Sequence, residues 1–170
     1  MSFDSLETVL KRLISLHRNL LDLVREERLF LLSANISELK EITLSKELLL
    51  SEISKIEKTR ILVVDELIEE LKISHQESNP ITLLQLSEHL NEAQSKTIRT
   101  LHTTLKLLIE QIRETGKQNM EFIQKSLGVF DEIKRDIDRL TSKHRGDLYG
   151  KTGSLQKSTG QNGKLFSRQG

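Results

Sequence analysis

Residues 146–154 read GDLYGKTGS, and Gly150-Lys151-Thr152 is the tripeptide that closes a phosphate-binding loop. The full motif, G-x-x-x-x-G-K-[ST], also needs a glycine where this chain has Arg145, and Gly146 comes one residue too late. Such a loop works between a buried strand and a helix N-terminus, where convergent backbone N–H groups meet the phosphates. Neither neighbour is legible in the flanking sequence, so a nucleotide site is not expected.

Histidine chemistry fares no better. His17, His75, His89, His102 and His144 are scattered, with no H-E-x-x-H and no repeated Glu-x-x-His pair, so no metal is expected. The stretch LHTTLK at 101–106 approaches the His-x-Leu-Lys-Gly signature of helical phosphotransfer domains. An extra residue separates His102 from Leu105-Lys106, however, and Leu107 stands where the small glycine belongs. Phosphotransfer at His102 stays as a rival reading that acid-labile labelling would test. Carboxylates such as Glu66, Glu69 and Glu70 lie on a periodic helix beside Lys and Arg and read as a solvated face. With no cysteine and no G-x-S-x-G elbow, the chain offers no thiol or elbow-serine nucleophile. No enzymatic activity and no cofactor are expected.

The chain has 170 residues, 36% of them hydrophobic and 30% charged, enough for one domain with a slim core. Aromatic residues make up 4%, and Pro80 is the single proline, a composition that favours helices over a sandwich or barrel. No stretch is apolar enough to span a membrane and the N-terminus lacks an apolar signal core, so a cytoplasmic protein is expected. The net charge of +1 conceals an asymmetry. Residues 143–170 hold six basic residues and one acid, a net of +5, which leaves 20 basic and 24 acidic residues, a net of −4, in residues 1–142. An acidic body argues against nucleic-acid binding, and a tail without an apolar helical face argues against membrane insertion.

These patterns must be carried by helices. The first segment shows Asp4 and Glu7 at cap and N3 spacing, then Leu6, Leu10, Leu13, Leu20, Val24 and Leu31 on one stripe. The second opens on Asn35 and Glu38 and continues through Leu39, Ile42, Leu49, Ile53, Ile56, Val63 and Leu67. The two stripes are out of heptad phase by one residue, which an uninterrupted helix would not tolerate, so a turn or kink is expected at 33–37. The polar run around Pro80 reverses the chain. A third segment begins near Thr82, with Gln85 three residues on, and runs to about Leu140; the polar stretch 90–97 holds neither Gly nor Pro and leaves its continuity open. Gly116 and Gly128 weaken this helix without stopping it. Six of the eight glycines fall in 143–170. The expected organisation is a helical domain, 1–142, and a flexible tail, 143–170: an elongated all-α hairpin or bundle of three to four long helices with a disordered end.

The third segment carries large apolar side chains on more than one face, among them Ile109, Ile112, Phe122, Ile123, Leu127 and Phe130. A hairpin partner covers one stripe. The remainder is explained by burial in a third helix, by a homodimer, or by a groove for another protein's amphipathic helix.

Here the sequence resembles the FlgN-type flagellar export chaperones. The resemblance rests on the leucine-rich run LLDLVREERLFLLSANISELKEITLSKELLLSEISKIEKTR at 20–60, on IRETGKQNMEFIQKSLGVF at 112–130 and on Tyr149-Gly150-Lys151-Thr152-Gly153. The chain departs from the family pattern at Met120 and Glu121 and beyond Gly153. The resemblance implies a non-catalytic cytoplasmic chaperone that binds the helical C-terminal segments of hook-associated proteins and delivers them to the export gate. Ile109, Ile112, Phe122, Ile123, Leu127 and Phe130 are then the expected cargo contacts, and Tyr149 the expected gate-docking residue. A monomer or weak homodimer is expected; a coiled-coil scaffold acting as a homo-oligomer is the alternative.

Overall fold

A computed structural model describes residues 2–73 and 81–148, with side chains as far as 141. Four helices follow in order: α1 (Ser2–Leu32), α2 (Ile36–Glu70), α3 (Leu83–Ser87) and α4 (Glu92–Leu148). The all-α architecture read from composition and periodicity holds, with no strand among the described residues. The chain divides into two compact units, 1–123 and 124–170. Of the expected tail, 143–170, residues 143–148 belong to α4 and the rest lie outside the described residues.

In the first unit, α1 is the central element. Nine of its side chains are buried, against six of the longer α2. Leu6, Leu10, Leu13, His17, Leu20 and Val24 recur at alternating spacings of four and three, the heptad rhythm of a packed seam. Ile14, Leu16 and Leu21 widen the buried face beyond one stripe, as a helix with neighbours on two sides requires. Leu6, Leu10 and Leu13 are fully buried, and each contributes about 1.5–3 kcal/mol through removal from water. His17 is accommodated because its Nδ1 lies 2.7 Å from the Leu13 carbonyl oxygen, one turn back.

The expected break at 33–37 is a tight reversal. Ala34 takes a left-handed φ of 51°, and Asn35 caps α2 by accepting the Glu38 N–H on Oδ1 at 3.3 Å. The hairpin is antiparallel: Lys46 reaches Glu27 close to the turn, and Arg12 pairs with Glu52 farther from it. At the helix start the structure differs from the cap reading. The helix already includes Ser2, so Asp4 sits in the first turn, where a carboxylate favours the positive end of the helix dipole.

The third segment is two helices. Thr82 caps α3 in a complete capping box with Gln85, as the spacing predicts. The chain leaves the helix after Ser87, and α4 begins at Glu92 with Asn91 Oδ1 accepting the Gln94 N–H at 2.9 Å. A cap therefore ends the ambiguity over 90–97, since an asparagine needs no Gly or Pro beside it to start a helix. α3 closes the end of the core with Leu86, and its buried Ser87 donates to the Leu84 carbonyl and accepts from Arg99 Nε. Because α2 ends beside the start of α1, and Asn119 later meets Val24 and Glu27, α4 runs in the same direction as α1.

Both helical glycines are open, with nothing within 4 Å of an added Cβ. Gly116→Ala and Gly128→Ala are each expected to raise stability by about 0.5–1 kcal/mol, through the smaller entropy lost on forming the helix. Urea denaturation checks this, and a loss of stability in either variant would contradict it.

Candidate protein-binding surface

α4 repeats every seven residues along its whole described length. One set of seam positions holds Ile98, Leu105, Ile112, Asn119, Ser126, Ile133 and Leu140; the other holds His102, Ile109, Gly116, Ile123, Phe130 and Ile137. The fate of this seam differs within the two units.

In residues 92–123 the seam is largely used by the protein itself. Ile98 and Leu105 are buried, and the expected partner contacts Ile109 and Ile112 are half-buried against the same core. Phe122 is also half-buried, with the Arg28 guanidinium 5.1 Å from its ring centroid, and Arg28 Nη1 donates to the Gln118 carbonyl at 3.1 Å. Ile123 is half-buried. A cation over an aromatic face is favourable, so Phe122 already has an intramolecular role.

One turn before Phe122 the seam is polar. Asn119 is only 2% exposed; its Nδ2 donates to the Val24 carbonyl at 2.9 Å and to Glu27 Oε2 at 3.1 Å. The other oxygen of Glu27 receives Lys46 Nζ at 2.6 Å. Three helices thus contribute one polar side chain each to a single layer. Sequence reasoning passed over it because each residue, taken alone, reads as an interruption of its stripe. The available signal was position: 27, 46 and 119 all fall on the seam spacing of their own helices. Glu27→Ala removes the acceptor shared by Lys46 and Asn119 and is expected to cost about 1–3 kcal/mol in urea denaturation. A cost within the range of an ordinary surface substitution would show that the layer is solvated.

In residues 124–141 the apolar side chains are exposed. Leu127 is 61% exposed, Phe130 69% and Leu140 65%; Val129, Ile133 and Ile137 are similarly open. Phe130, Ile133, Ile137 and Leu140 follow the three-four-three spacing of one helix face. This is a row of apolar side chains, unlike the isolated ones that any surface carries. Charges beside it balance: Lys125, Lys134, Arg135 and Arg139 against Asp131, Glu132, Asp136 and Asp138. The Arg139–Asp136 pair at 3.4 Å is solvent-exposed on both sides and adds little stability.

No cluster of three potential metal ligands occurs among the described residues. A hollow of about 550 Å³ beside Glu92, Lys96, Arg99 and Thr103 is lined by α4 alone. His102 is half-buried beside Leu105, Lys106 and Ile109 in a second hollow of about 260 Å³. No described helix is long and apolar enough to cross a membrane. Tyr149 lies outside the described residues.

A family model described as FlgN protein matches residues 1–157 of the chain. No curated protein and no solved structure matches it.

Proposed function

From a chain that belongs to the FlgN family, the flagellar export chaperones, we propose a cytoplasmic, non-catalytic chaperone. Its cargo is the helical C-terminal segment of a hook-associated protein, and its destination is the flagellar export gate. The observation that carries this reading is the open apolar row of α4, Leu127, Phe130, Ile133, Ile137 and Leu140. An amphipathic helix presents anchors at i, i+3, i+4 and i+7, which is the spacing that such a row accepts. Ile109, Ile112, Phe122 and Ile123, also proposed as cargo contacts, are half-buried within residues 1–123. A cargo segment held this way is shielded from self-association without any covalent step. Ordering a flexible segment on binding also moderates affinity, which suits a cargo that must be released.

Calorimetric titration of the full chain with a purified hook-associated C-terminal segment tests the proposal. A saturable complex with a negative heat-capacity change is expected. Absence of both heat and co-elution would overturn it. The heptad spacing of Phe130, Ile133, Ile137 and Leu140 equally suits a second copy of the chain, the scaffold reading. Sedimentation across a concentration range separates the two: a monomer or weak dimer that cargo dissociates fits a chaperone, and a tight oligomer indifferent to cargo fits a scaffold. For the gate, Tyr149 is the proposed docking residue. A Tyr149→Ala protein is expected to bind cargo normally and dock weakly; normal docking would remove that role.

A further inference from the structure

The Glu27–Lys46–Asn119 layer interrupts an otherwise apolar seam, and the seam around it shows what it provides. The Asn119 amide orientation is determined by its partners, since turning it over would aim Oδ1 at both the Val24 carbonyl and the Glu27 carboxylate. In the orientation that satisfies Nδ2, Oδ1 is buried without a hydrogen-bond partner. A leucine there would strand no acceptor of its own, and leucine or isoleucine fills the equivalent positions at 98, 105 and 112.

That uniformity is a weakness. Along that line, Ile98, Leu105 and Ile112 present nearly the same surface after a slip of one heptad, a displacement of about 10 Å at 1.5 Å per residue, whereas the line of His102, Ile109, Gly116 and Ile123 changes in side-chain size. Apolar burial is non-directional and along the first of these lines discriminates poorly between the two registers. The polar layer discriminates strongly. A slip in one direction sets Ile112 against Glu27 and Lys46, and a slip in the other sets Ser126 there. Either takes Asn119 away from the Val24 carbonyl and Glu27, and the second also sets it in the half-buried place of Ile112 against the core.

We infer that Asn119 sets the register of α4 on the α1–α2 hairpin, through its hydrogen bonds to Glu27 and Val24. It is a positioning residue: it selects which turns of α4 are used internally. The inference concerns residues 1–123 alone and goes beyond the chaperone reading, so it stands or falls independently of what the row at 127–140 binds.

The chain has no cysteine, so two introduced thiols are unique labelling sites. Asp22 on α1 and Lys117 on α4 are both exposed and suit spin labels. In the full-length chain, pulsed electron-electron resonance is expected to give one distance. Adding Asn119→Leu is expected to split it into two populations corresponding to a slide of about 10 Å, while the melting temperature holds or rises. The double change Ile112→Asn with Asn119→Leu moves the polar mark by one heptad and is expected to make the shifted population dominant. Should the single variant fail to fold, the double variant decides alone. A single parental distance in the double variant would show that register is set elsewhere and overturn the inference.

Discussion

Serine at both Phe130 and Ile137 is expected to weaken binding of a hook-associated C-terminal segment by at least a hundredfold, with helicity retained. Each side chain would bury a large apolar group against the cargo helix, a contribution of about 1.5–3 kcal/mol apiece. Loss of both is about 3–6 kcal/mol, or roughly two to four powers of ten in affinity. The fold has little stake in either residue, because Phe130 is 69% and Ile137 55% exposed. Serine in a helix costs only a few tenths of a kcal/mol relative to better helix formers. Calorimetry and circular dichroism on the same samples check both halves of the prediction, and unchanged affinity would dismiss the row as the cargo site. Phe122→Ser is a poorer test. Arg28 sits over that ring and also holds the Gln118 carbonyl, so its loss would mix a binding effect with disturbance of α4.

Leu13→Ala should have the opposite profile. Leu13 is 0% exposed at the middle of the α1 seam, with Leu10 and Ile14 beside it and α2 and α4 contributing to the same core. Truncation removes transfer free energy and leaves a cavity that three helices cannot readily close, an expected loss of about 2–5 kcal/mol. The melting temperature should fall by roughly 10 °C for such a loss in a domain of this size. Leu48→Ala on α2 is the matched control: Leu48 is 74% exposed, and its truncation should stay within about 0.5 kcal/mol. Equal effects from the two substitutions would contradict the packing described.

Much of the fold was legible because seam spacing and caps are local. The slip in heptad phase between the stripes of Val24 and Leu39 marked the turn that Ala34 and Asn35 make. Thr82 and Gln85 marked the start of α3. The separation of α3 from α4 was less visible, since it depends on which conformation Asn91 adopts, and a polar residue is compatible with both a helix surface and a cap. Tertiary facts were least visible. The sequence places Ile109, Ile112, Phe122, Ile123, Leu127 and Phe130 on one segment, yet only three-dimensional packing distinguishes Ile112 against the core from Phe130 in water. Likewise Glu27, Lys46 and Asn119 are separated widely along the chain, and no periodicity of one helix announces that the three will meet.

That meeting has an evolutionary consequence. Three side chains that satisfy one another across three helices are not free to drift independently: an apolar residue in place of Asn119 leaves Glu27 with one donor fewer, and loss of Lys46 leaves the acid without its counter-charge. Among related chains, positions 27, 46 and 119 are expected to covary, so that the triad is inherited together or replaced together. Exposed positions such as Leu48 should vary without reference to any of them.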